Sequence, residues 1–144
     1  TYEYPDLGLN DDGSAKVSFT ASLDDKARDI KTAEDAKIPY LLKTDNPVVV
    51  PVNKTVKLIV TSDPDGIIHA WTIPQFGMKI DAIPGRLNQD WFHAEREGVV
   101  YGQCSELCGK DHAYMPITVK VVSQEAYDKW LAGAKTGNLQ LASN

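Results

Sequence analysis

An all-β sandwich or barrel carrying one C-terminal helix is the fold class this sequence predicts. Two observations carry it. Short β-branched segments recur from Pro47 to Val122, each cut off by a turn signal: "DPDG", "IPQFG", "IPGR", "EREG" and "CGKD". A clear helical pattern follows them once, in "SQEAYDKWLAGAK" (123–135). Strands at this spacing, with Pro/Gly turns between them, are the pattern of two packed sheets or a closed barrel.

The elements follow in order. Residues 1–46 are polar and acid-rich, as in "YPDLGLNDDGSAK" and "SLDDKARDIKTAEDAK", and read as an arm packed on or beside the main fold. The second stretch predicts a short solvated helix around 23–37, with Thr32 and Asp35 spaced as an N-cap pair. "PVVVPVNKTVKLIVTS" is β-branched and alternating, with Asn53-Lys54 as a turn between two strands. Further strands are expected near 67–73, 78–83, 87–94, 98–103 and 116–122. In the 123–135 helix Ser123 is the cap, Tyr127, Trp130 and Leu131 form the apolar stripe, and Gly133 or Gly137 ends it. The expected organisation is therefore an arm (1–46), a β-domain with its helix (47–135) and a loose tail (136–144).

Bulk properties narrow the function. A chain of 144 residues is one domain and buries a core without needing a disulfide. Its 20 acidic and 15 basic residues give a net charge of −5. That argues against nucleic acid, which wants a basic face, and suits a basic protein partner. No apolar run approaches the roughly 20 residues needed to span a bilayer. The chain begins at Thr1, which reads as a processed protein or a soluble piece of a longer one.

The chemistry concentrates in "GQCSELCGKDHAYMPI" (102–117), where Cys104, Cys108, His112 and Met115 fall within twelve residues. A disulfide between the two cysteines closes too small a loop to stabilise much, and ignores His112 and Met115. Zinc favours four Cys/His ligands, for which the distant candidates are His69 and His93, and methionine serves zinc poorly. A Cys–His catalytic dyad leaves one cysteine and the methionine idle. Copper uses every donor, because thiolate, thioether and imidazole together suit the Cu(I)/Cu(II) couple. His69 lies 35 residues before Cys104, in strand-like "IIHAW". A single blue-copper ion needs one cysteine, so the second points to two coppers sharing two thiolate bridges. A mononuclear carrier with a spare cysteine stays open. His93, in "WFHAER", has no soft partner nearby and reads as a surface strand residue.

"CSELCGKDHAYMP", "IIHAWTIPQFGMKIDAIPGR" and "TDNPVVVPV" strongly resemble subunit II of cytochrome c oxidase, in its copper A domain and in an alphaproteobacterial style. The resemblance covers roughly residues 38–135. It implies a cupredoxin-like Greek-key β-sandwich holding two copper ions. Cys104 and Cys108 would bridge both; His69 and Met115 would complete one copper, and His112 with the backbone carbonyl of Glu106 the other. The Glu106 carboxylate would help hold magnesium against subunit I in the full complex. Glutamate there separates the chain from nitrous oxide reductase, the related alternative, which typically carries tryptophan; quinol-oxidase relatives lack the ligands altogether. The resemblance further implies electrons arriving from cytochrome c and leaving to haem in subunit I. It places the domain on the periplasmic face of the bacterial inner membrane, anchored there by helices of the longer protein. The aromatic stretch through which the family takes its electron would lie upstream of Thr1. Trp71 and Tyr114 would pack beside the site, or serve equally as core aromatics. Asp45, Asp63, Asp65 and Asp111 are the candidate docking acids for a basic cytochrome. "TSDPDGIIH" is about two residues longer than the family's usual approach to the first histidine, and "KD" before His112 is also unusual.

Overall fold

A computed structural model describes residues 1–104 and 115–141. Among these, the chain forms β1 (Tyr2–Glu3), β2 (Ser18–Phe19), α1 (Ile30–Asp35), β3 (Val48–Pro51), β4 (Thr55–Val60), β5 (His69–Ile73), β6 (Met78–Ala82), β7 (Asn88–His93), β8 (Gly98–Gln103), β9 (Pro116–Val122) and α2 (Gln124–Ala134). The strands expected from Pro47 to Val122 are all present, with ends shifted by one or two residues.

A five-stranded sheet runs in the order β3-β9-β8-β5-β6, and β4 pairs with β7 in a separate two-stranded sheet. Alternation explains what lies between them. Trp71, Ile73, Met78, Ile80, Ile117, Val119 and Val121 point inward from the large sheet and meet Val56, Leu58, Val60 and Phe92 of the small one. Phe76, Phe92 and Trp71 stack within this core, with ring centroids 4.7 Å and 6.2 Å apart. Asn53 turns the chain from β3 to β4 at φ +55°, a left-handed conformation that asparagine tolerates.

Strand β3 departs from simple alternation. It pairs parallel with β9, and Val48, Val49 and Val50 are all buried. A strand covered on both faces reads as a continuous apolar run. Val48 and Val50 join the inter-sheet core, whereas Val49 points to the opposite face. There it meets a second core of Val17, Phe19, Trp130 and Ala134. Tyr4 fastens this layer to β3: its hydroxyl donates to the Val49 carbonyl (2.9 Å) and accepts the Val49 N–H (3.1 Å).

Helix α2 starts as expected, with Ser123 Oγ accepting from the Ala126 N–H at 3.2 Å. Trp130 is its buried anchor, and Gly137, at φ +85°, turns the chain after it. The tail is less loose than expected. Trp130 Nε1 donates to the Leu139 carbonyl at 3.2 Å, and Leu139 and Leu141 pack on the second core. The polar stretch 23–37 also differs from expectation. It holds a 3₁₀ turn at Asp25–Ala27 and then six-residue α1, whose cap is Asp29: its carboxylate accepts from the Thr32 N–H at 2.9 Å. Thr32 is the capped residue rather than the cap, because Asp24 and Asp29 each offer a side-chain oxygen to an N–H ahead of them, Asp24 starting the 3₁₀ turn and Asp29 starting α1.

Candidate metal centre

Strand direction sets one end of the sandwich apart. β4, β6 and β8 end there, while β3, β5, β7 and β9 start there, as the pairs Val60↔Asn88, His69↔Ala82, Gln103↔Pro116 and Val48↔Val119 require. His69 is therefore the first residue of β5, Cys104 follows the last residue of β8, and Met115 precedes β9.

Three backbone details bring these residues together. The Cys104 N–H donates to the Met115 carbonyl at 3.3 Å, which continues the β8–β9 ladder by one step and holds Cys104 and Met115 side by side. β5 meets β8 in register at Thr72↔Gln103. The next inward-facing N–H toward the site, that of Ala70, donates to Cys104 Sγ at 3.3 Å. The sulfur thus stands where a ladder carbonyl would. His69 Nδ1 lies 3.9 Å from the same Sγ. Cys104 is 5% exposed, His69 half-buried, and Met115 38% exposed.

That separation fits two ligands of one ion. A first-row metal with bonds of about 2.0 Å to nitrogen and about 2.3 Å to sulfur sets the donors about 3.5 Å apart at a tetrahedral angle, and about 3.9 Å apart at roughly 130°. The donor types, imidazole and thiolate, suit copper. Glu106, Cys108, His112 and, among the candidate docking acids, Asp111 lie outside the described residues, as does Tyr114. Among the described residues no group of three His, Cys, Asp or Glu side chains gathers, at this end or any other, so His69 and Cys104 stand here as a pair. His93 ends β7, opposite Thr55, at the far end of the sandwich.

Asp45, Asp63 and Asp65 are exposed and stand on segments at the His69–Cys104 end. Asp45 also braces its own loop, because its Oδ1 accepts from the N–H groups of Ser22 and Asn46, both at 2.7 Å. Asp63 Oδ1 accepts from the Asp65 N–H at 3.1 Å. The sequence reading missed the apolar part of this surface. Ile67, Ile68, Leu87 and Met115 are all exposed at the same end, with Leu87 at 73%. The doublet "II" immediately before His69 was the available signal. Trp71 is a core residue: it is 8% exposed and its Nε1 donates to the Tyr2 hydroxyl at 3.2 Å. Burial raises the Tyr2 phenol above its ordinary pKa, so it stays a neutral acceptor for that bond.

Gly102 was missed as well. A Cβ there would overlap the Thr72 carbonyl oxygen and sit 2.7 Å from Ile73 Cδ1. No side chain fits where β8 passes β5.

Known proteins share this architecture. The family model "Cytochrome C oxidase subunit II, periplasmic domain" matches residues 1–122. Cytochrome c oxidase subunit 2 of Cereibacter sphaeroides is 50% identical over 147 aligned positions, covering 99% of this chain and 48% of that protein. The crystal structure of the periplasmic domain of subunit II of cytochrome oxidase of Bradyrhizobium japonicum superposes with a TM-score of 0.78 at 45% identity, covering 95% of this chain and 86% of that one. A mixed-disulfide complex between a thioredoxin-like protein and a subunit II domain gives 0.71 at 44% identity, covering 95% and 83%. The chain spans about half the length of the curated subunit it matches.

Proposed function

The chain belongs to the cytochrome c oxidase subunit II family, as its periplasmic, cupredoxin-like domain, and from that premise we propose that it is a binuclear copper electron-transfer domain. Cys104, Cys108, His69, Met115, His112 and the Glu106 carbonyl would hold two copper ions, with the two cysteines shared between them. The single observation that supports this reading is His69 Nδ1 standing 3.9 Å from Cys104 Sγ at the end of β8. A copper pair bound there supplies one-electron storage spread over two metals.

The chain's own residues do the rest. Strands β5, β8 and β9 hold His69, Cys104 and Met115 from elements whose positions are set by the apolar core, so few donors need to move when charge changes. The Ala70 N–H partly neutralises the Cys104 sulfur. In the complete oxidase the electron would come from cytochrome c and go to haem in subunit I, and the Glu106 carboxylate would help hold magnesium at that interface. The longer protein is anchored in the membrane, with this domain on its periplasmic side, and nucleic acid has no part in it. Because the thiolate is the ligand form, Cys104 and Cys108 must be reduced before copper enters. Thiol–disulfide exchange of the kind trapped in the relative's mixed disulfide would supply that step.

Comparison of two variants tests the ligand roles. Cys108→Ser should leave one copper or a localised pair, because both metals need the charged bridge. Met115→Leu should keep two coppers and change only spectrum and potential, since a thioether is a weak, tuning ligand. Copper analysis and electron spin resonance read both, and the opposite pattern would overturn the bridging assignment. Docking is tested by ionic strength. With Asp45, Asp63, Asp65 and Asp111 steering a basic cytochrome, the bimolecular rate falls steeply with salt. A flat rate would leave Ile67, Ile68 and Leu87 as the docking face.

A further inference from the structure

We infer that Gly102 is a positioning residue of this metal centre: the missing side chain in β8 lets β5 close far enough for the Ala70 N–H to reach Cys104 Sγ and for His69 Nδ1 to stand beside that sulfur. The inference rests on the copper reading for its consequence, but not for its geometry.

Gly102 differs from four strand-end and turn glycines, and it is far more crowded than Gly66, whose nearest neighbours stand 3.0 and 3.1 Å from an added Cβ. Gly77, Gly85, Gly98 and Gly137 have positive φ, and a Cβ on any of them would meet nothing within 4 Å. Those positions need glycine for backbone conformation. Gly102 needs it for space. The nearest obstacle is a backbone oxygen, that of Thr72, with Ile73 Cδ1 behind it. A side chain can rotate away from a methyl group; a main-chain carbonyl within a sheet cannot, so an added methyl has to push β5 itself.

The push has a definite consequence. β5 is paired along its whole length with β6, from His69↔Ala82 to Ile73↔Met78, so the two strands move as a unit. Ala70 lies two residues from Thr72, and His69 lies one further. The N–H donor and the imidazole therefore retreat from Cys104 together, while Cys104 stays with β9 through its bond to the Met115 carbonyl. An N–H bond to a thiolate draws charge from sulfur and so weakens its donation to the oxidised metal. Losing it favours the oxidised form and lowers the reduction potential.

Gly102→Ala tests this in the whole chain, with Val100→Ala, in the same strand, as a control that loosens the core without filling the gap. In the metal-free protein, exchange of the Ala70 amide should speed up about fivefold relative to the Val119 amide, the loss of one ordinary hydrogen bond. In the copper-loaded protein the reduction potential should fall. Val100→Ala should change neither the amide ratio nor the potential. An unchanged ratio in folded Gly102→Ala, or an equal potential shift in Val100→Ala, overturns the inference. Should Gly102→Ala not fold, an ester in place of the Ala70 peptide N–H, made by semisynthesis, removes the same donor; an unchanged potential there overturns it too. Absence of copper from the wild-type chain would instead sink the functional reading and leave the amide result to stand or fall alone.

Discussion

The two hydrophobic cores of this molecule are built by different means. The inter-sheet core follows from strand alternation, so neighbouring strands fill it in sequence: Ile73, Met78, Ile80, then Phe92. The second core joins parts distant in the chain, with Phe19 from the arm, Val49 from β3 and Trp130 from α2. Its rings meet at varied angles, with Tyr4 and Trp130 at 5.3 Å and 55°, and Phe19 edge-on to Trp130 at 6.2 Å and 82°. His69, Cys104 and Met115 flank strands β5, β8 and β9 of the first core, whereas the second core lies under α2 and the arm. A binding site can thus be rigid through one core while the other serves mainly to cover the back of the sheet.

Three substitutions probe that division. Trp130→Ala removes the largest anchor of the second core and should cost about 3–5 kcal/mol in a denaturant melt. Copper content and spin resonance of the folded protein should not change; a lost or altered centre would show that the two cores act as one. Ile73→Ala should cost about 2–4 kcal/mol, since Ile73 is fully buried in the first core. Here the site should respond, because Ile73 lies where β5 passes Gly102, and an unaltered spectrum would show that this crossing does not position the site. Ser123→Ala, at the cap of α2, should cost about 1 kcal/mol with no effect on the metal.

The first core was legible in sequence because its period is local. β-branched residues two apart, closed off by Pro/Gly turns, located each strand from β3 to β9, and Ser123 and Trp130 marked α2. The arm was harder to read. Asp24, Asp29, Thr32 and Asp35 all look like caps, and only the fold selects Asp29. That α2 is covered by residues 2–19 also has no periodic signal, because it depends on aromatic residues that meet across more than a hundred positions. At the site, the soft donors were legible by chemistry. Gly102 was not, since a glycine in a strand reads as a weakness until the opposing carbonyl is seen. Ile67 and Ile68 read as strand, and their exposure follows only from β5 beginning at His69.

The parallel pairing of β3 with β9 bears on how the chain reaches this structure. Val48 finds Val119, 71 residues further on (119 − 48), and every other strand pair in the large sheet is antiparallel. Such a distant match lengthens the search for the native state, because loop closure has to precede any gain from the contact. During synthesis from the amino end, Val48–Val50 emerges long before Ile117–Val122 exists to receive it. An apolar triplet waits without its partner strand until then, which exposes it to misassociation.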